Sequence, residues 1–217
     1  MQKPIILKFG GSLIHHSNGE ILHRLGNIIT QYLAEHPILI VPGGGPFADT
    51  VRQYGEQFEL SEKTCHFMAL AAMDQYAYLL NEIISGSILT DLSNMELPTP
   101  TILTHPTVPH ILSCSSFLRQ VGVNDLPHSW DVTSDSIALY LAKLINISML
   151  VILKSTDIDL TLQEPDVDPF FQQLLPVNIP VWFINGLYPE RLTHLLQTGS
   201  TNGIYLAPNS LCGEFVP

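Results

Sequence analysis

The sequence predicts an α/β fold, a three-layer αβα sandwich whose central sheet is mainly parallel, and three observations predict it. Short apolar runs of strand type recur along the 217 residues. Two of these runs end in glycine loops that lead into helical patterns. Strands that alternate with helices in this way pair in parallel and take helices on both faces. The length and the 46% hydrophobic content suit one domain with a sizeable core.

The elements follow in order. Residues 4–9, "PIILKF", form a first strand, followed by "GGS" and a helical pattern to about residue 35. A second strand over 37–41, "PILIV", runs into "PGGGPFAD" and another helix. Residues 61–84 read as a long helix that is apolar on most faces, hence a core helix or one buried against a partner subunit. Four prolines in 98–110 predict a stiff irregular connection. The stretch 128–145, "HSWDVTSDSIALYLAKLI", has a polar entry and then Ile137, Leu141, Leu144 and Ile145 at one-face helical spacing, with Asp131 or Thr133 as its cap. A third strand covers 148–153, an acidic turn-rich stretch 157–169, a late strand 181–185 and a short helix 189–197.

Composition excludes several classes of function. Nine Lys and Arg against twenty Asp and Glu leave a formal charge of −11, and no basic cluster offsets it. Nucleic acid and anionic membrane surfaces are therefore not expected as partners. No apolar run reaches the roughly 18 residues of a membrane span, and the N-terminus lacks a cleavage-site pattern. Cys65, Cys114 and Cys212 form no CxxC pair, which fits a reducing cytoplasm. His15 and His16 adjoin in a polar loop with no third ligand at metal spacing, so no metal site is expected there.

Three motifs carry chemistry. In "LKFGGS", Lys8 precedes Gly10, Gly11 and Ser12 at a strand end, where bare backbone can approach a ligand and amides can form an anion nest. In "VPGGGPFAD", Gly43, Gly44 and Gly45 lie between a strand and a helix start, an arrangement that binds phosphate through amides and helix dipole. Neither GxGxxG nor GxxxxGK[ST] occurs, so the Rossmann and Walker readings fail. Two glycine loops on strands of one parallel sheet face a common ligand position. The third motif is the polar entry to the helix of 128–145. Asp135 there accepts hydrogen bonds from loop amides, orients Lys8, or holds magnesium between phosphates; equally, it complements the helix dipole. His66 is open in the same way, as a satisfied core residue or a phosphate contact.

Together "LKFGGS", "VPGGGPFAD" and "DVTSDSIALYLA" resemble the amino acid kinase superfamily, in its motif order. The stretches "FADTVRQYGEQFELSEKTCHFMALAAMDQYA", "PHSWDVTSDSIA" and "NGLYPERL" are similar to one branch, the kinases acting on an aminomethylfuran-methanol phosphate in methanofuran and methylofuran biosynthesis. The likeness covers about residues 4–150 and returns at 181–195. It implies transfer of the ATP γ-phosphoryl group, with Mg²⁺, to a small phosphomonoester, giving a diphosphate. It also implies a single domain over 1–217, with an acceptor and phosphate-transfer lobe to about residue 147 and a nucleotide lobe from about 148. Lys8 would stabilise the transferring phosphoryl group and Asp135 would organise the centre. Gly10, Gly11 and Ser12 would grip ATP's phosphates, with Lys154, Asp157 and Arg191 on the nucleotide side. Gly43, Gly44 and Gly45 would hold the acceptor. Arg52 and His66 are candidates for the acceptor's existing phosphate, and Asp131 for an aminomethyl cation or simple capping. A cytoplasmic homodimer or higher homo-oligomer is expected.

The sequence departs from the family pattern in the nucleotide lobe. The Asp-Val-Asp-Gly-like turn after the third strand reads "LKSTDIDL", without its glycine. A later lysine of the family is replaced by Glu190-Arg191, and the closing Gly-Thr strand is faint in "TNGIYLAP". Other small phosphate acceptors, or non-catalytic oxyanion binding on the same fold, are the rival expectations.

Overall fold

A computed structural model describes residues 3–94, 108–122, 124–157 and 167–216. Most of the proline-rich connection expected over 98–110, and of the acidic stretch over 157–169, lies outside the described residues. Eight strands form one sheet in the order β3-β4-β2-β1-β5-β6-β7-β8. Their ranges are β1 Ile5–Phe9, β2 Ile38–Pro42, β3 Ile88–Thr90, β4 His110–Leu112, β5 Met149–Lys154, β6 Val181–Asn185, β7 Gly203–Leu206 and β8 Glu214–Val216. The pairs from β3 to β6 are parallel, and β7 and β8 close the sheet antiparallel. The helices are α1 Glu20–Tyr32, α2 Gly45–Gln57, α3 Glu62–Ile83, α4 Cys114–Leu118, α5 Ser134–Leu144, α6 Pro169–Gln173 and α7 Pro189–Thr198.

Side-chain alternation along the strands decides what each face carries. Ile5, Leu7 and Phe9 of β1, with Val151 and Leu153 of β5, pack beneath α1 and α7. Ile6, Leu150 and Ile152 point the opposite way, toward α5, α4 and α6. By the same parity Lys8 and Lys154 fall on the α5 face, at the carboxyl ends of two adjacent strands. The register sets Lys8 beside Ile152, so Lys154 lies one same-face step further along. This is the position where α/β sheets bind ligands, outside the strand ends where connections diverge.

The four strands and the long helix read from sequence are present, with ends that coincide or shift by one residue. The helix expected straight after "GGS" differs. Gly11–His15 and Ser17–Gly19 are 3₁₀ turns, and α1 begins only at Glu20. The left-handed Asn18 and Gly19 (φ 50° and 86°) break the regular pattern. "TNGIYLAP" does supply a strand, β7, while β3, β4 and β8 are too short to announce themselves by pattern. Cys65, Cys114 and Cys212 are free thiols, the first two buried.

Candidate active site

At the carboxyl ends of β1, β2 and β5 opens a cleft of about 400 Å³. Its floor is an ion triad. Lys8 Nζ lies 2.7 Å from Asp135 Oδ1, and Lys154 Nζ donates to Asp135 Oδ2 at 2.5 Å. Lys8 and Asp135 are only 4% and 3% exposed, so burial weighs heavily on both charges. Desolvation pulls the Lys8 ammonium below its usual range; Lys154 adds to that pull and Asp135 opposes it. Burial alone would push the Asp135 carboxyl up, but the two ammoniums outweigh it and hold it below the ordinary carboxylate range. The triad carries a net positive charge in a place with little water, a setting matched to a polyphosphate.

Two glycine loops form the rim and touch each other. A Cβ on Gly11 would sit 2.2 Å from the Gly45 nitrogen, and one on Gly43 would sit 2.7 Å from the Gly11 nitrogen. No other residue type permits that approach. Gly10 is equally confined, because a Cβ would lie 2.5 Å from the Leu153 carbonyl oxygen, which the Gly10 amide itself reaches at 2.9 Å. Gly45 opens α2 at φ 53° with proline following and no side-chain cap, so its first-turn amides have no intrahelical acceptor. They face the cleft as an anion-binding terminus.

The start of α5 is built differently from the local cap expected. Thr133 is the N-cap residue, yet its side chain makes no capping bond, and Asp135 is spent on lysines. The capping oxygens come from Asp168, outside the motif. Its Oδ2 accepts from Thr133 N (3.0 Å), Thr133 Oγ1 (2.7 Å) and Ser136 N (3.1 Å), and its Oδ1 accepts from Ser136 Oγ. The same Oδ1 caps α6 through the Phe171 amide at 3.1 Å. One buried carboxylate therefore fixes the turn that carries Asp135.

Of the residues singled out from sequence, Lys8, Gly11, Ser12, Gly44, Gly45, Arg52, His66, Asp135 and Lys154 line this cleft. Gly10 and Gly43 are buried behind it as spacers between backbones. Ser12 Oγ lies 2.7 Å from Ser155 Oγ, joining the first glycine loop to the end of β5. Asp157 and Arg191 are outside the cleft lining and form an ion pair with each other, with Asn185 Nδ2 3.3 Å from the same carboxylate. Asp131 is exposed: Trp130 and Val132 on either side of it line the cleft, and it does not. His66 stacks on His128 with centroids 5.1 Å apart. Burial, then the neighbouring His128, lower its pKa, against a hydrogen bond to the Ser129 backbone. Arg52 pairs with Asp49 at 2.8 Å and lies 4.6 Å over the Trp130 ring. Leu70, Met73, Val132 and Ile137 supply an apolar wall.

Sequence reasoning missed Asp49, Trp130 and Asp168. Trp130 had a visible signal, a lone indole in a polar entry. Asp168 had none, since it acts 32 residues from Ser136.

Among the described residues, no helix is long and apolar enough to cross a membrane. A 29% identical relative over 214 residues is the [5-(aminomethyl)furan-3-yl]methyl phosphate kinase of Methanocaldococcus jannaschii; the match covers 88% of this chain and 92% of that protein. Solved structures of the same fold include a uridylate kinase from Archaeoglobus fulgidus, with a TM-score of 0.60, 14% identity, and coverage of 90% of this chain and 96% of that one. A UMP kinase from Bacillus anthracis has a TM-score of 0.62 at 14% identity and covers 99% of both chains. Residues 3–159 match the model of the amino acid kinase family. The chain belongs to the amino acid kinase family.

Proposed function

We propose that the protein transfers the γ-phosphoryl group of ATP to [5-(aminomethyl)furan-3-yl]methyl phosphate, giving the diphosphate used in methanofuran- or methylofuran-type cofactor synthesis. The observation that carries this reading is the buried Lys8–Asp135–Lys154 triad set between two touching glycine loops. The name of the 29% identical M. jannaschii relative supports this choice of acceptor.

In this reading an acceptor phosphate oxygen attacks the γ-phosphorus as the bond to the ADP oxygen breaks. That nucleophile is already ionised at neutral pH, so no side chain needs to remove a proton. Catalysis is then positioning and charge neutralisation. Lys8 and Lys154 meet the charge on the transferring group, and Asp135 holds both ammoniums in place. Gly11 and Ser12 serve the ATP phosphates, and Gly44 and Gly45 the acceptor phosphate, with Arg52 and His66 beside it; Gly10 and Gly43, whose amides are bonded to Leu153 and Phe9 carbonyls, set the spacing of the two loops. The apolar wall accepts the furan ring.

The residues present fit a nucleotide that brings its own Mg²⁺. Asp135 has both oxygens engaged by lysine, and no group of three His, Cys, Asp or Glu among the described residues could hold a metal ion. Mg²⁺ would neutralise β- and γ-phosphate charge from the nucleotide side. Residues to about 147 act as the acceptor and transfer lobe. Those from about 148, including Asp157 and Arg191, act as the nucleotide lobe. The decisive experiment supplies ATP, Mg²⁺ and the aminomethylfuran phosphate and measures ADP and diphosphate product. Anion binding without turnover overturns the reading.

A further inference from the structure

The proposed acceptor has a phosphate at one end and a primary ammonium at the other, with a five-membered ring between. The phosphate end has many partners in the cleft, whereas the ammonium needs an anion. Among the described residues the cleft is lined by two carboxylates, Asp135 and Asp49. Asp135 is excluded as the ammonium's partner. It is buried, and both of its oxygens are held by lysines whose charges would repel a third cation.

Asp49 has the opposite character. Its side chain is 64% exposed, and one oxygen, Oδ1, takes Arg52 at 2.8 Å. Its Oδ2 accepts no hydrogen bond among the described residues. Arg52 is meanwhile drawn over the Trp130 ring, which leaves the outer side of the carboxylate open.

Helix geometry gives the spacing. Asp49 follows Gly45 by four residues on α2, so the two share a face and stand roughly 6 Å apart along the axis. A phosphate held at the α2 amino terminus and a ring lying along that face would bring a one-carbon ammonium arm to Asp49.

We infer that Asp49 is a specificity-determining residue, which selects acceptors whose phosphate is followed, one ring away, by a primary ammonium. The inference rests on the phosphoryl-transfer reading above and assigns to Asp49 the contact that sequence alone had offered to Asp131. No covalent step is added: the carboxylate accepts charge-assisted hydrogen bonds from the ammonium and orients the acceptor.

The test measures kcat/KM of the full chain and of its Asp49→Asn and Asp131→Asn variants with two acceptors. One is the aminomethylfuran phosphate, and the other carries a methyl group in place of the aminomethyl arm. The wild type is expected to prefer the aminated acceptor by roughly tenfold or more, the scale of one charge-assisted contact. Asp49→Asn removes most of that preference and Asp131→Asn keeps it. Because any change in Arg52 affects both acceptors, the ratio isolates the ammonium contact. A preference that survives Asp49→Asn, or that Asp131→Asn abolishes, overturns the inference. Equal use of both acceptors by the wild type overturns it while leaving the kinase reading intact. Turnover of neither acceptor overturns the kinase reading and the inference with it.

Discussion

Asp135 carries two ammoniums on one carboxylate in a place almost without solvent, and that makes it the residue with the most to lose. Asp135→Asn leaves Lys8 and Lys154 facing each other without their shared anion. The expected cost in stability is about 3–5 kcal/mol, as for other buried pairs broken from one side. The expected fall in kcat is about a hundredfold or more, because the lysines lose their orientation. Thermal unfolding and steady-state kinetics read the two effects separately. The pH dependence follows from the directions of the shifts. Asp135 has a folded-state pKa below its ordinary 3.8. Its contribution to stability is therefore complete above that value and is lost as pH falls through the folded-state pKa. The stability gap between wild type and Asp135→Asn should close on acidification. Lys8 is displaced downward from 10.5, so kcat should decline with rising pH before an ordinary lysine would deprotonate. Lys8 and Asp135 were legible in sequence as a lysine before glycines and a carboxylate opening a helix. Their sharing of one contact with Lys154 was not, because it depends on strand parity and on the register between distant parts of the chain.

Elements place those side chains, and α5 shows how. Its amphipathic stripe was readable from Ile137, Leu141, Leu144 and Ile145; all are buried except Leu144, which is half-buried. Its anchoring was not readable, since the residue that caps it is the N-cap of α6, more than thirty positions along the chain. Asp168 ties the first turns of α5 and α6 together through the Thr133, Ser136 and Phe171 amides. Asp168→Ala should therefore destabilise the fold by about 2–4 kcal/mol, combining lost caps with buried donors left unpaired. It should also lower kcat more than it raises KM, because the turn that holds Asp135 loses its anchor while the glycine loops stay in place. Denaturant melts and initial rates with varied ATP and acceptor test both halves. The short strands escaped the sequence reading for a related reason. Three-residue edge strands such as β3 and β8 contain too few alternations to register, and they exist because a neighbouring strand is there to pair with.

The molecule as a whole is acidic, yet the cleft gathers cations. Of nine Lys and Arg, three line it: Lys8, Arg52 and Lys154. Anionic substrates approach against a net charge of −11 and are captured only at short range, within the cleft. Added salt screens the long-range repulsion more than the buried contacts. Raising NaCl from about 20 to about 150 mM, across which the screening length contracts markedly, should leave kcat/KM level or raise it up to about twofold. A steep decline would mean that a positive outer surface guides the substrates in. The fold class came directly from strand–helix alternation, and the two glycine loops marked the ligand end of the sheet. Bulk charge argued against nucleic acid as a partner, but only the folded chain shows three of the cations gathered in one cleft.

The contact between Gly11 and Gly45 has one more consequence. With backbone resting on backbone, the two loops behave as a fixed calliper whose opening no side-chain substitution can adjust. In the phosphoryl-transfer reading proposed above, this contact makes the gap between donor and acceptor phosphates a constant of the scaffold. New acceptors can arise only through changes farther along α2 and at the mouth of the cleft. Divergence in this lineage should concentrate there, while the calliper itself stays the same.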